Sequence, residues 1–289
     1  MAGASGGGRL RATRLRKGRQ MSLANILVHL DSTARCAARV RIAAEIAARN
    51  RARLVGLFAE TASAQRVGLV AAWPSADYTG HMEAGRDAFA TATASLGDKA
   101  SFIDLNRGGE HEVLARATDV ARAFDLVVLG QSEAASRTPA DLPEQIIVES
   151  GRPVLMIPSA GEYTHIGQRP LIAWRRARSS ARALFDALPL LAEGAQATVV
   201  QVDKHGDTHH EFTNLIVENL VAHGVKAQFR HVVTEDVKVM DTLLNEAADH
   251  SSDLLVAGAF DHAGFPSLGR GSGTRYLLKH MTQPMLFSH

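Results

Sequence analysis

Residues suited to holding an anion gather at one place in the 289-residue chain. The apolar run Asp253–Gly258, DLLVAG, is followed by AFDHAGFPSLGRGSGTRYLLKHM. Gly258, Gly264, Gly269, Gly271 and Gly273 lie along it, and a helix is expected to begin near Ser272. Glycine lets backbone amides approach an anion and adopt positive φ. A helix start adds unpartnered N–H groups and the positive end of the helix dipole. Ser272 and Thr274 can cap that helix or bond a phosphate oxygen, and Arg270 and Arg275 add positive charge. This is the chemistry of a phosphate cradle; the plainer reading is a tight turn and a helix cap. No Lys follows the glycines, as a G-x4-G-K-[ST] loop requires. Around Ser272, Arg270 and Thr274 stand where a hydrolase elbow needs glycines.

Other reactive side chains read more simply. His205, His209 and His210 share a polar turn, with no cysteine and no second ligand pair to complete a metal site. His262 reads as a hydrogen-bonded surface histidine and His29 as a packed strand residue. The single cysteine, Cys36, reads as a buried helix residue and permits no intrachain disulfide. No paired carboxylates or nucleophile–base set mark acid–base or covalent catalysis, so the expected activity is binding rather than turnover.

The elements around these residues repeat. Ile26–Val40, ILVHLDSTARCAARV, matches Pro170–Leu184, PLIAWRRARSSARAL; DLVVLG at Asp125–Gly130 matches DLLVAG. GRPVLMIP at Gly151–Pro158 matches TQPMLFSH at Thr282–His289. Three matches in the same order indicate a duplication. Short apolar runs bounded by turn residues suit strands buried on both faces of a parallel sheet. They are expected at 25–30, 53–59, 101–105, 125–130 and 153–157, then at 170–174, 196–202, 226–232, 253–258 and 284–288. Helices are expected at 33–49, 82–96, 110–123, 142–150, 178–192, 208–223, 236–249 and 270–280. Residues 61–81 read as an extra surface loop or a lid. The fold class is α/β: two tandem Rossmann-like domains, each a five-stranded parallel sheet of order 3-2-1-4-5 flanked by helices. The first domain takes 21–158, a polar linker 159–168 and the second domain 169–289. Ligands of such sheets favour the carboxyl ends of the first and fourth strands. Those ends are Asp31 and Gly130 in the first half, Arg175 and Gly258 in the second.

Residues 1–20 are Gly/Ala-rich, then basic, and read as a disordered tail. Their six basic side chains account for the net charge of +2; the remaining chain is at −4. A nucleic-acid partner is therefore not expected of the folded body. No apolar run is long enough to span a bilayer, and the expected compartment is the cytoplasm.

The second-half loop resembles that of ATP-binding universal stress proteins, G-x2-G-x9-G-[S/T]. Here it reads Gly258-x2-Asp261-x9-Gly271-Ser272, with Asp261 in place of a glycine. The resemblance covers nearly all of residues 24–289 in two passes. It implies a stress-response module holding ATP, with magnesium, through Gly258, Asp261, Arg270, Gly271, Ser272, Thr274 and Arg175. Arg175 stands where the family carries an adenine-holding Asp. The first half keeps that acid as Asp31, read here as a helix N-cap, but lacks the glycine loop, so no nucleotide is expected there. The resemblance also implies an intrachain pseudo-dimer through Pro153–Ile157 and Pro284–Ser288. The alternative is a ligand-free scaffold with degenerate sites, acting through an unidentified protein partner.

Overall fold

A computed structural model describes residues 23–67, 70–106, 108–134, 136–203, 212–234, 238–260 and 271–289. The basic tail, Asp261, His262, Arg270, His205, His209 and His210 lie outside the described residues.

The first half runs β1 (Asn25–Leu30), α1 (Cys36–Asn50), β2 (Arg53–Phe58), β3 (Gln65–Val67), β4 (Val70–Ala72), α2 (Ala76–Ala92), β5 (Ala100–Asp104), α3 (Glu110–Ala121), β6 (Leu126–Gly130), α4 (Leu142–Glu149) and β7 (Val154–Ile157). The second runs β8 (Pro170–Ala173), α5 (Arg178–Ala187), β9 (Gln196–Asp203), α6 (Thr213–Ala222), β10 (Lys226–Val233), α7 (Val239–Asp249), β11 (Leu254–Gly258), α8 (Ser272–His280) and β12 (Met285–Ser288).

Ten strands form one sheet, ordered β10-β9-β8-β11-β12-β7-β6-β1-β2-β5. Counted within its own half, each set of five has the expected order 3-2-1-4-5. Every neighbouring pair is parallel except β12 and β7, which meet antiparallel with Met285 opposite Met156, Leu286 opposite Leu155 and Phe287 opposite Val154. The inner strands of the sheet are apolar on both faces because both are covered, whereas the edge strand β10 alternates exposed and half-buried residues. Ile26 and Val28 pack into one core with α1 and α2, whereas Leu27 joins the opposite core with α3 and α4. The second half repeats this, with Leu184 and Leu220 of α5 and α6 in the first core and Leu243 and Leu277 of α7 and α8 in the other. Each fully buried Val, Leu or Ile contributes about 1.5–3 kcal/mol over exposure.

A second repeated device fixes the first strand of each half. The Asp125 carboxylate accepts from the amides of Ala24 and Asn25, at 2.8 and 2.9 Å. Asp253 does the same for Gln168 and Arg169, at 2.8 and 2.9 Å. In each case the acid at the start of the fourth strand anchors the entry to the first.

Two expectations need correction. Residues 61–81 are not one loop: β3 and β4 pair as a hairpin, and α2 already starts at Ala76 rather than 82. The Ser75 side chain accepts from the Tyr78 amide and caps that helix, a signal masked by Gly80 in the first turns. The helix expected over 178–192 ends at Ala187 and passes into a 3-10 turn, Leu188–Leu190. Pro189 lacks the N–H that α-helix needs there.

Candidate functional site

The parallel order places the carboxyl ends of β1 and β6, and of β8 and β11, side by side. These are the two notches in which a ligand of this architecture would sit.

In the first half the notch is full. Arg39, on α1, is buried with 2% exposure and reaches back to the end of β1. Its guanidinium lies 2.9 Å from the buried Asp31 carboxylate, and its Nε donates to the His29 carbonyl at 2.8 Å. A Cβ added to Gly130 would stand 2.1 Å from Arg39 Nη1. Glycine at this strand end is what admits the guanidinium. The cavity left over, between His29, Asp31, Gly130 and Gln131, holds about 20 Å³. Small-molecule pockets run to roughly 300–1,000 Å³, well above this remnant. Burial pushes the Asp31 carboxyl up, but Arg39, His29 and the Thr33 hydroxyl outweigh it and hold it below the usual carboxylate range. Asp31 does not cap α1, as the sequence suggested. It accepts from the Thr33 amide and hydroxyl at 3.1 and 2.6 Å, and α1 begins without a side-chain cap. Beside it, the buried Glu60 accepts from the amide and hydroxyl of Ser32, both at 2.6 Å.

Sequence reasoning passed over Arg39. Its signal was present: Cys36, Val40, Ala43 and Ala47 form the buried stripe of α1, and Arg39 sits in that stripe at helical spacing. In the repeat Ala183 stands where Arg39 does, so α5 offers no arginine at that position.

In the second half, Arg175 follows β8 and is half-buried at the same sheet edge as Gly258. Gly258 packs against the start of α5: an added Cβ would meet Ser179 Oγ at 2.3 Å and the Ser180 amide nitrogen at 2.6 Å. Gly271 has φ +75° and opens α8 with no side-chain cap of its own. Ser272 is half-buried beside it. Thr274 is buried, and its hydroxyl accepts from the Phe260 amide at 2.9 Å. Phe260, at φ +52°, lays its ring on Gly271, where an added Cβ would come within 2.3 Å. Phe260 and Thr274 thus fasten together the two ends of the glycine-rich segment. Gly258, Gly271, Ser272, Thr274 and Arg175 are brought to one end of the sheet. The residues present suit a polyanion better than a base: backbone amides, hydroxyls and arginine all favour negative charge.

Among the described residues there is no group of three or more His, Cys, Asp or Glu that could hold a metal ion. None of the described helices is long and apolar enough to cross a membrane.

The class defined by this geometry is a doubly wound α/β protein in tandem, with one notch filled by its own arginine and one bounded by a glycine-opened helix. The fold is that of the universal stress proteins. A universal stress protein from Archaeoglobus fulgidus DSM 4304 superposes with a TM-score of 0.67 at 13% identity, over 91% of this chain and 97% of that one. A functionally unknown protein from Pseudomonas aeruginosa PAO1 superposes with a TM-score of 0.56 at 14% identity, over 92% of each chain. No family model matches the sequence, and no curated protein matches it.

Proposed function

We propose that the chain is a regulatory stress-response module of the universal stress protein type that takes up ATP or a related nucleotide in its second half. It works as two domains, 21–158 and 169–289, joined through 159–168 into one body with a pseudo-two-fold axis. The supporting observation is the contrast between the notches: Arg39 fills the first, and Ala183 replaces it in the second. The phosphates would meet the amides of Gly271 and Ser272 at the start of α8, with Gly258 beneath them and Thr274 holding the turn. Arg175 and Arg270 supply positive charge, and magnesium carried with the nucleotide would offset Asp261. The first half acts as the structural partner.

The test is calorimetric titration of magnesium-ATP into the full chain and into Ser272→Asp. An acid in the first turn of a helix favours the helix dipole, so the variant keeps its fold while repelling phosphate. Binding in the native chain and its loss in Ser272→Asp is the expected result. Absence of heat at millimolar ATP in the native chain would sink the proposal.

A second reading is a ligand-free scaffold. It draws on the Phe260 ring against Gly271 and on a Thr274 hydroxyl already engaged. Phe185, Phe212, Leu215 and Val221 of α5 and α6 and their approaches are also exposed, and would serve a protein partner. The same titration separates the two readings.

A further inference from the structure

The seam between the halves is symmetric about one residue pair. In the antiparallel pairing of β7 and β12, Leu155 faces Leu286, and the repeat GRPVLM/TQPMLF makes these two leucines equivalents of each other. A residue on or near the axis through this pair meets its own counterpart. Glu144 on α4 and Arg275 on α8 are such counterparts: each lies eleven residues before the leucine of its own copy. They touch across the seam as a bidentate pair, with Arg275 Nε donating to Glu144 Oε2 at 2.7 Å and Nη2 donating to Oε1.

A second pair of equivalent positions is filled unequally as well. Gly151 and Thr282 each lie four residues before the axial leucine. The Gly151 carbonyl accepts from Arg182 of α5 at 2.8 Å. The Thr282 carbonyl accepts instead from the hydroxyl of Tyr163 in the linker, at 2.8 Å. The repeat puts Ala38 at the place of Arg182, so the equivalent position on α1 carries no donor to return the first contact.

We propose that Glu144 and Arg275 form a charge key that fits a first half only to a second half. Two first halves joined along β7 would set Glu144 against Glu144. Two second halves joined along β12 would set Arg275 against Arg275. Like charges at that spacing repel, while the bidentate pair attracts and fixes orientation. The surface built from α4 and β7 is thereby an interaction surface for one partner: the α8–β12 face of this same chain type.

Single charge reversals in the full chain imitate both disfavoured pairings. Glu144→Arg opposes Arg275 with arginine, and Arg275→Glu opposes Glu144 with glutamate. The measurements are urea unfolding and amide hydrogen exchange at Leu155 and Leu286, on the native chain, both single variants and Glu144→Arg/Arg275→Glu. Each single reversal is expected to lower the folding equilibrium constant about fivefold, a factor matching ~1 kcal/mol, and to speed exchange along the seam. The double reversal is expected to regain both. A double variant no better than the product of the two singles would overturn the proposal, as would a double variant that fails to fold. If a single reversal alone fails to fold, recovery in the double variant still supports the key.

Discussion

The Arg39 guanidinium lies 2.9 Å from the Asp31 carboxylate, with both side chains buried at the carboxyl end of the first-half sheet. Breaking such a pair from one side leaves a buried charge uncompensated, which typically costs about 3–5 kcal/mol. Arg39→Met should therefore lower the urea midpoint sharply. Arg39→Met combined with Asp31→Leu should recover much of the loss, because removing both charges also removes their desolvation cost. Denaturant unfolding of the three proteins checks this.

His29 is buried, and burial is the main cause that lowers its pKa below the ordinary histidine value. The unfolded chain then binds a proton there at pH values where the folded chain does not. By linkage, stability rises with pH between the folded pKa and about 6.5, and falls as the medium is acidified through that window. His29→Gln should flatten this part of the stability–pH curve relative to the native chain. An unchanged slope would contradict the assignment.

Thr274 accepts the buried Phe260 amide proton. Thr274→Val keeps the shape and removes the acceptor, leaving a buried donor unsatisfied at a cost of about 1–3 kcal/mol. Thr274→Ser should retain most of the stability. Thermal melts of the two variants give the comparison.

Cys36 is buried at the start of α1, and burial pushes its thiol above the ordinary range. Since the thiolate is the reactive species, an aromatic disulfide reagent at pH 8 should modify the native chain far more slowly than the urea-unfolded chain. Rapid native labelling would place the thiol at the surface.

The inner strands were legible in the sequence because burial on both faces turns them into largely apolar runs, as in LLVAG and VLMI. The duplication was legible for the same reason, since equivalent strands carry equivalent runs. The second-half site was legible as a set of residue types: glycines, hydroxyls and arginine before a helix. What could not be read were contacts that close only in three dimensions. Arg39's place in the apolar stripe of α1 marks it as buried, but what it meets shows only when α1 is laid on the sheet and the missing Cβ of Gly130 makes room for it. Phe260 gave no sign that its ring would rest on Gly271. Arg275 looked like a phosphate ligand, yet its guanidinium grips Glu144 of the other half. Ser75 was overlooked because the helix it caps opens with Gly80 in its second turn, and glycine argues against helix.

The antiparallel pairing of β7 with β12 has a consequence for biosynthesis. The backbone edge of β7 is made early in translation, and its cover, β12, leaves the ribosome only after the whole second half has been made. Through that interval the nascent first half carries an open, apolar strand edge, the kind of surface that recruits neighbouring chains. Slow synthesis of the second half lengthens that exposure, and β12, when it emerges, closes both copies in one event.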